Sequence, residues 1–368
     1  MNKSLKIDGQ LLYTTLLLGF FGIMIFLSAS LGFLTRGISD FLSIALKQVF
    51  LAFLPGLVLM FFFAKKIPYE SLRKYALYIF GAAIITNILI FVPHIGITHG
   101  GAARWLNLGP LSFQPSELLK IGAIIYCAAW LAMAREGVKT WMYGFLPVCA
   151  IISICGLLCL AQKDTDTFAV IAGSLVIMYF AAGAKWSHII TVMCIGLVAF
   201  AGVVAYRPYV MERIQTYLDP TQNGLAQSYQ IQQSLIAVGS GEIVGRGFGQ
   251  SVQKFNFLPE PVGDSIFAVA SEEFGFIGSV FLVGLFMFFV MRGLKLARVI
   301  AKPFGSNLLV GITAYIFIQS FINIGAMIGI LPLSGIPLPF VSQGGTALLL
   351  LFIEVGIMFN ISQYAKSK

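Results

Sequence analysis

The chain has 368 residues, of which 58% are hydrophobic and 11% charged, and its mean hydropathy is +0.89. That balance excludes a soluble globular domain and marks a polytopic membrane protein of all-α class. The net charge of +9 calls for no nucleic acid, because basic residues gather in short connections, where they anchor a protein to the inner leaflet.

Apolar runs long enough to cross about 30 Å of hydrocarbon fall near residues 11–33, 47–64, 75–93, 118–134, 142–161, 168–184, 188–205, 266–291, 305–331 and 344–363, which predicts about ten transmembrane helices in a single domain spanning 1–368. Ser28-Ala29-Ser30 imitates a signal-peptide cleavage site, but the run before it is long and nine more follow, so it reads as a retained first helix. Lys3, Lys6, Lys65, Lys66, Arg73, Lys74, Arg135, Lys139, Lys185, Arg292, Lys295, Arg298, Lys302, Lys366 and Lys368 fall on one side, which predicts that both termini are cytoplasmic.

Between the third and fourth spans, residues 100–120 read GGAARWLNLGPLSFQPSELLK. Pro115 suits the first turn of the fourth span, and Glu117 and Lys120, three apart, can hold their charges as a local pair or present a cation to an anionic headgroup. Arg104 beside Trp105 supplies another cation at the interface. AQKDTDTFAV places Asp164 and Asp166 at the opening of span six.

The long connection, 206–264, reads as a large extracytoplasmic loop. YRPYVMERIQTYLDP predicts a short amphipathic helix on the membrane surface, stopped by Pro220, and SYQIQQSLIAVGSG predicts another helix with Gln232 or Gln233 on the face of Tyr229 and Ile236. Gly239, Gly241, Gly245, Gly247 and Gly249 then give a tightly turning backbone able to approach a ligand; no buried strand precedes it, which argues against a nucleotide loop.

FLPEPVGDSIFAVASEEFGFIG, residues 257–278, carries Glu260, Asp264, Glu272 and Glu273 at the mouth of span eight. Carboxylates approaching hydrocarbon require compensation from water, a cation or a substrate, so the cluster is the leading candidate for chemistry, with helix capping by Asp264 as the bland alternative. Beyond span nine, LPLSGIPLPFVSQGGTALL is broken by Pro332, Pro337, Pro339, Gly335, Gly344 and Gly345, and non-helical backbone at such depth must be covered by protein or line a wet cavity. The five cysteines lie in apolar spans without metal-ligand spacing, and His94, His99 and His188 are too scattered for a zinc site.

Five stretches in order and spacing, RWLNLGPLSFQPSELLK, YLDP, YQIQQSLIAVGSGEIVGRGFGQS, FLPEPVGDSIFAVASEEFGFIG and GIPLPFVSQGGTALL, resemble the SEDS family (shape, elongation, division and sporulation), with QKFNFLPE and QSLIAVGSG closer to its FtsW branch than to RodA. The resemblance implies ten transmembrane helices, a large loop between the seventh and eighth, polymerisation of lipid II into peptidoglycan glycan strands with inversion, and a class B penicillin-binding protein as the transpeptidase partner. It implies Asp264 as the catalytic base, and substrate contacts at Arg104, Glu117, Lys120, Asp164, Gln233, Ser234, Lys254, Glu260 and Ser342. Positive charge for the leaving pyrophosphate is expected from Lys120, Arg104 or a divalent cation, Mg²⁺ or Mn²⁺. The family's usual Q-P-D-L-G-T is Gln162-Lys163-Asp164-Thr165-Asp166-Thr167 here, and its Thr-Asp-Phe is Gly263-Asp264-Ser265. A lipid II flippase would use the same cavity as a passage, and a membrane scaffold would have no use for Glu272 and Glu273.

Overall fold

The computed structural model describes residues 6–93, 95–99, 102–108, 111–206, 208–219 and 226–365. His94, the His99 side chain, Pro220, Lys3, Lys366 and Lys368, named above, lie outside the described residues.

Hydrophobic runs of membrane-spanning length become helices because every backbone polar group in hydrocarbon must be bonded within its own segment. Among the described residues nine helices are long and apolar enough to cross a membrane: α1 (Gly9–Thr35), α2 (Ile38–Lys66), α3 (Tyr69–Leu89), α4 (Pro115–Lys139), α5 (Trp141–Ala161), α7 (Trp186–Tyr206), α10 (Ile266–Val299), α11 (Pro303–Met327) and α12 (Gly345–Ser362). Between α5 and α7 lies the shorter apolar α6 (Thr165–Ala181). These ten coincide with the ten predicted runs, and the protein is a multi-pass membrane protein.

α4, α11 and α12 form the interior, with α12 packed along α2, α11 along α6 and α10, and α4 along α3. At the other extreme is α7, of which only 6% is buried. Its exposed Ile190, Met193, Leu197, Val198 and Phe200 suit a lipid-facing surface, while its first turn is pinned by His188 Nδ1, 2.6 Å from Tyr179 Oη.

An element outside the all-α expectation is a three-stranded antiparallel sheet, β1 (Gly96–His99), β2 (Ala102–Leu108) and β3 (Leu111–Phe113), paired in that order. It fills the connection between α3 and α4, and such short strands satisfy backbone groups where the chain leaves the bilayer.

The connection before α10 contains the two predicted helices, α8 (Pro208–Leu218) and α9 (Ala226–Ser240). The glycine-rich run after α9 approaches the protein's own backbone rather than leaving a ligand cradle. α10 is broken at Gly275 (φ 64°, ψ −162°), and the break frees backbone groups that residues 242–247 then bond. Arg246 N donates to Glu272 O and Gly247 N to Glu273 O, each at 3.0 Å; Phe276 N and Ile277 N donate to Glu242 O and Ile243 O at 2.9 and 3.1 Å. The two chains come so close that a Cβ on Gly245 would lie 2.2 Å from Glu273 O.

Glu272 and Glu273 reinforce this junction. Ser251 Oγ donates to Glu272 at 2.5 Å and the Val252 and Gln253 amides at 3.1 and 3.2 Å. Glu273 accepts from Lys254 Nζ at 2.7 Å and from Ser28 Oγ at 2.6 Å. Both carboxylates are buried and compensated by the loop, which corrects the expectation that they serve chemistry with Asp264. Removing one partner of a buried ion pair strands the other, so Lys254→Met or Glu273→Leu alone should cost about 3–5 kcal/mol, and the double replacement much less than the sum. Thermal unfolding of the purified protein in detergent reads this cycle, and additive losses would contradict a coupled pair.

Candidate functional site

Asp264 lies just outside α10, whose N-cap is Ser265, and is half-buried. Gln230 Nε2 from α9 reaches its Oδ1 at 3.3 Å and also Ser265 Oγ at 2.9 Å, while Asn323 Nδ2 from α11 holds the Asp264 carbonyl at 2.8 Å. Burial and then the neighbouring Glu260 carboxylate push the Asp264 carboxyl up from 3.8 to about 7, against the opposing pull of Gln230 and the nearby backbone amides. A carboxyl raised to about 7 divides between its protonated and ionised forms near neutrality. Replacing Glu260 by Gln removes the like charge, so the acid limb of any Asp264-dependent rate should move to lower pH; an unmoved limb would show that the two carboxylates do not communicate.

The broken segment 332–344 forms the floor beneath Asp264. Its carbonyls are satisfied by protein: Asn323 Nδ2 donates to Ile336 O and Gln319 Nε2 to Pro337 O, both at 2.8 Å, and Gln48 Nε2 to Ser342 O at 3.2 Å. Ser342 Oγ donates to Gly263 O at 2.6 Å and Gln343 N to Val262 O at 2.7 Å, so this floor fixes the turn that presents Asp264. Gln319 also accepts from Lys120 Nζ at 2.9 Å, which continues the polar chain to α4.

On α4, Lys120 pairs with Glu117 at 2.8 Å and lies 4.9 Å from the centre of the Tyr315 ring. Both charges are buried, and the crevice of ≈20 Å³ that Glu117 and Gln319 share with Ser342 has room for about one water. Arg104 on β2 donates to the Lys163 carbonyl, at a residue with φ 57°, and its Nε has no partner among the described residues. Asp164 caps α6 by accepting from Thr167 N at 3.3 Å, and its Oδ2 has no partner among the described residues.

Of the remaining predicted contacts, Glu260 is exposed beside Asp264, and Gln233 is half-buried on α9. Ser234 is buried, donating to Gln230 O at 2.8 Å and lying 3.5 Å from Met327 Sδ. The Lys254 ammonium pairs with Glu273 and donates to Ser28 at the junction, and the residue also lines the cavity beside Glu260.

Residues 9–367 match the FtsW/RodA/SpoVE family, described as "Cell cycle protein". The chain belongs to this family. It is 36% identical to stage V sporulation protein E of Bacillus subtilis over 99% of each chain, and 36% identical to the probable peptidoglycan glycosyltransferase FtsW of Geobacter sulfurreducens over 98% of this chain and 96% of that one. Among solved structures, a chain of a peptidoglycan synthase complex that coordinates polymerisation and crosslinking superposes with TM-score 0.78 at 24% identity, covering 97% of each chain. The rod shape determining protein RodA of Thermus thermophilus superposes with TM-score 0.70 at 23% identity, covering 98% of each. Both share the fold.

Within the family pattern, Asp166 stands where a glycine is usual, and the structure gives it a partner. Arg213 of α8 binds its carboxylate at 2.7 and 2.9 Å, and Gly335 N approaches it at 3.4 Å, so α8 is tied to α6 and to the floor segment. Sequence reasoning passed over Gln48, Gln230, Gln319 and Asn323, which hold the floor and Asp264 in place. Three of them, Gln48, Gln319 and Asn323, are buried polar side chains inside apolar spans, a signal that was available in the sequence.

Proposed function

We propose that this protein is a peptidoglycan glycosyltransferase that polymerises lipid II into glycan strands. The observation that carries the reading is Asp264, a half-buried carboxyl raised to about 7 and aimed from the turn between Glu260 and α10. Its support is the family membership together with the named activity of the Geobacter sulfurreducens relative at 36% identity.

In the proposed reaction the ionised Asp264 takes the proton of the 4-hydroxyl on the N-acetylglucosamine of an incoming lipid II. The oxygen attacks the anomeric carbon of the growing glycan from the face opposite its pyrophosphate. The C–O bond to pyrophosphate breaks, the configuration inverts, and the lipid pyrophosphate departs with its electron pair. Arg104 and Lys120 are the candidates to meet that negative charge, of which Lys120 must first leave the Glu117 pair. Among the described residues no group of three His, Cys, Asp or Glu side chains could hold a metal ion, and no step is assigned to Mg²⁺ or Mn²⁺.

This reading places the Asp264 face outside the cytoplasmic membrane and both termini inside, in line with the basic residues of the opposite connections. It assigns cross-linking to a class B penicillin-binding protein, in keeping with the superposed synthase complex, where polymerisation and crosslinking are coordinated within one assembly. It favours a division or sporulation role over elongation, because the named relatives are FtsW and stage V sporulation proteins.

Purified protein in detergent, incubated with labelled lipid II, should produce glycan chains, with a partner protein added in a parallel reaction. A flippase makes none in micelles, so lipid II left unpolymerised under both conditions would remove the enzymatic reading.

A further inference from the structure

A cavity of ≈180 Å³ lies between the end of α1 and the turn that precedes α10, and that turn carries Asp264. Its walls include Phe33, Arg36, Tyr229, Asn256, Phe257 and Glu260. All lie beyond the ends of the membrane helices or at the last turn of α1.

Its composition is informative. Tyr229 and Phe257 present about half of their surface, 45% and 50%, which offers aromatic faces for the C–H face of a sugar ring, while Asn256 and Glu260 add polar groups able to bond hydroxyls. Arg36 stacks its guanidinium 5.0 Å from the centre of the Phe33 ring, and among the described residues no acid pairs with it. A pre-oriented, unpaired guanidinium is suited to an incoming carboxylate or phosphate. Two wall residues adopt left-handed backbone, Asn256 at φ 67° and Glu260 at φ 46°. The volume is below the ~300–1,000 Å³ of a complete small-molecule site, so it holds one ring of something larger.

We infer that this cavity is a second saccharide subsite, taking one amino-sugar ring of the growing glycan with an anionic substituent at Arg36 while Asp264 acts at the neighbouring linkage. The inference rests on the glycosyl-transfer reading for the identity of the sugar. Glu260 joins the two places, since it lines the cavity and its charge acts on Asp264. A polymerase that keeps hold of its product needs such a site beyond the reacting centre, because each retained contact slows release between cycles.

The test has a binding arm and a product arm. In the first, the full-length protein in detergent is titrated with soluble, lipid-free N-acetylglucosaminyl-N-acetylmuramyl pentapeptide, followed by saturation-transfer NMR. Arg36→Ala and Tyr229→Ala, both at exposed positions, should each weaken binding about tenfold. A neutral N-acetylglucosamine tetramer should bind more weakly and not sense Arg36→Ala. In the second arm, the same variants should yield shorter glycans from lipid II while still forming the first linkage. Failure of the wild-type protein to bind the pentapeptide probe, or binding indifferent to both substitutions, would overturn the subsite. If the wild-type protein binds the probe through Arg36 yet makes no glycan, the enzymatic reading fails and the subsite stands; if it polymerises while both variants bind and elongate normally, the subsite alone falls.

Discussion

Asp264→Asn lowers lipid II polymerisation by about 10²–10⁴-fold, the usual contribution of a positioned general base, while leaving the protein folded. Asparagine preserves the volume and can still accept from Gln230, so a loss of rate with retained thermal stability isolates the proton-transfer role. The wild-type rate should rise with pH and level off above about 7, because only the ionised carboxylate accepts a proton and the group is raised to about 7 by burial and by Glu260. Stability should run the other way. The unfolded chain releases this proton near 3.8 and the folded chain only near 7, so the folded state binds more protons in between and loses stability as pH rises through that window. Asp264→Asn should abolish that slope. Near-normal glycan from the variant would remove Asp264 from the chemistry.

Gly275→Ala should destabilise the protein by about 4 kcal/mol or more, with loss of activity although residue 275 touches no substrate. At φ 64° and ψ −162° only glycine is unstrained, and an added Cβ would lie 2.3 Å from Gly245 N and 2.7 Å from the Ile243 carbonyl oxygen. Nothing there is a flexible side-chain end that could yield. Residues 242–247 would separate from α10, and with them the stretch that leads through Lys254 to Glu260 and Asp264. Gly284→Ala is the matched control, since it lies in the same helix with open space around its Cβ position and should be neutral or mildly stabilising. Hydrogen exchange over residues 242–258 distinguishes the two: rapid exchange is expected in Gly275→Ala alone, and wild-type protection there would refute the docking role.

The same junction shows where a linear reading misleads. Glu272 and Glu273 invite a chemical role because acids in an apolar run need compensation, and that premise holds. The compensating groups are Ser251, the Val252 and Gln253 amides, Lys254 and Ser28, up to 245 residues away in the chain. Lys120 behaves similarly: its spacing from Glu117 is legible, whereas the Gln319 and Tyr315 contacts that bury the pair come from α11. Gln230, one of the groups that steady Asp264, sits on an amphipathic helix among three other glutamines of the chain segment Gln227–Gln233, and no local rule selects it.

The sequence by itself determined the membrane class, the ten helices, the two short helices of the long connection and the candidacy of Asp264. These follow from local quantities, since hydrocarbon acts as a solvent that tests each run of about twenty residues separately. Only the tertiary structure decided which charged groups face an opening and which are spent on one another, and that Arg36 and Tyr229 line one cavity with Glu260. A buried charge is paired over a few ångströms of space, whatever its distance along the chain, so that choice is written in packing and not in spacing.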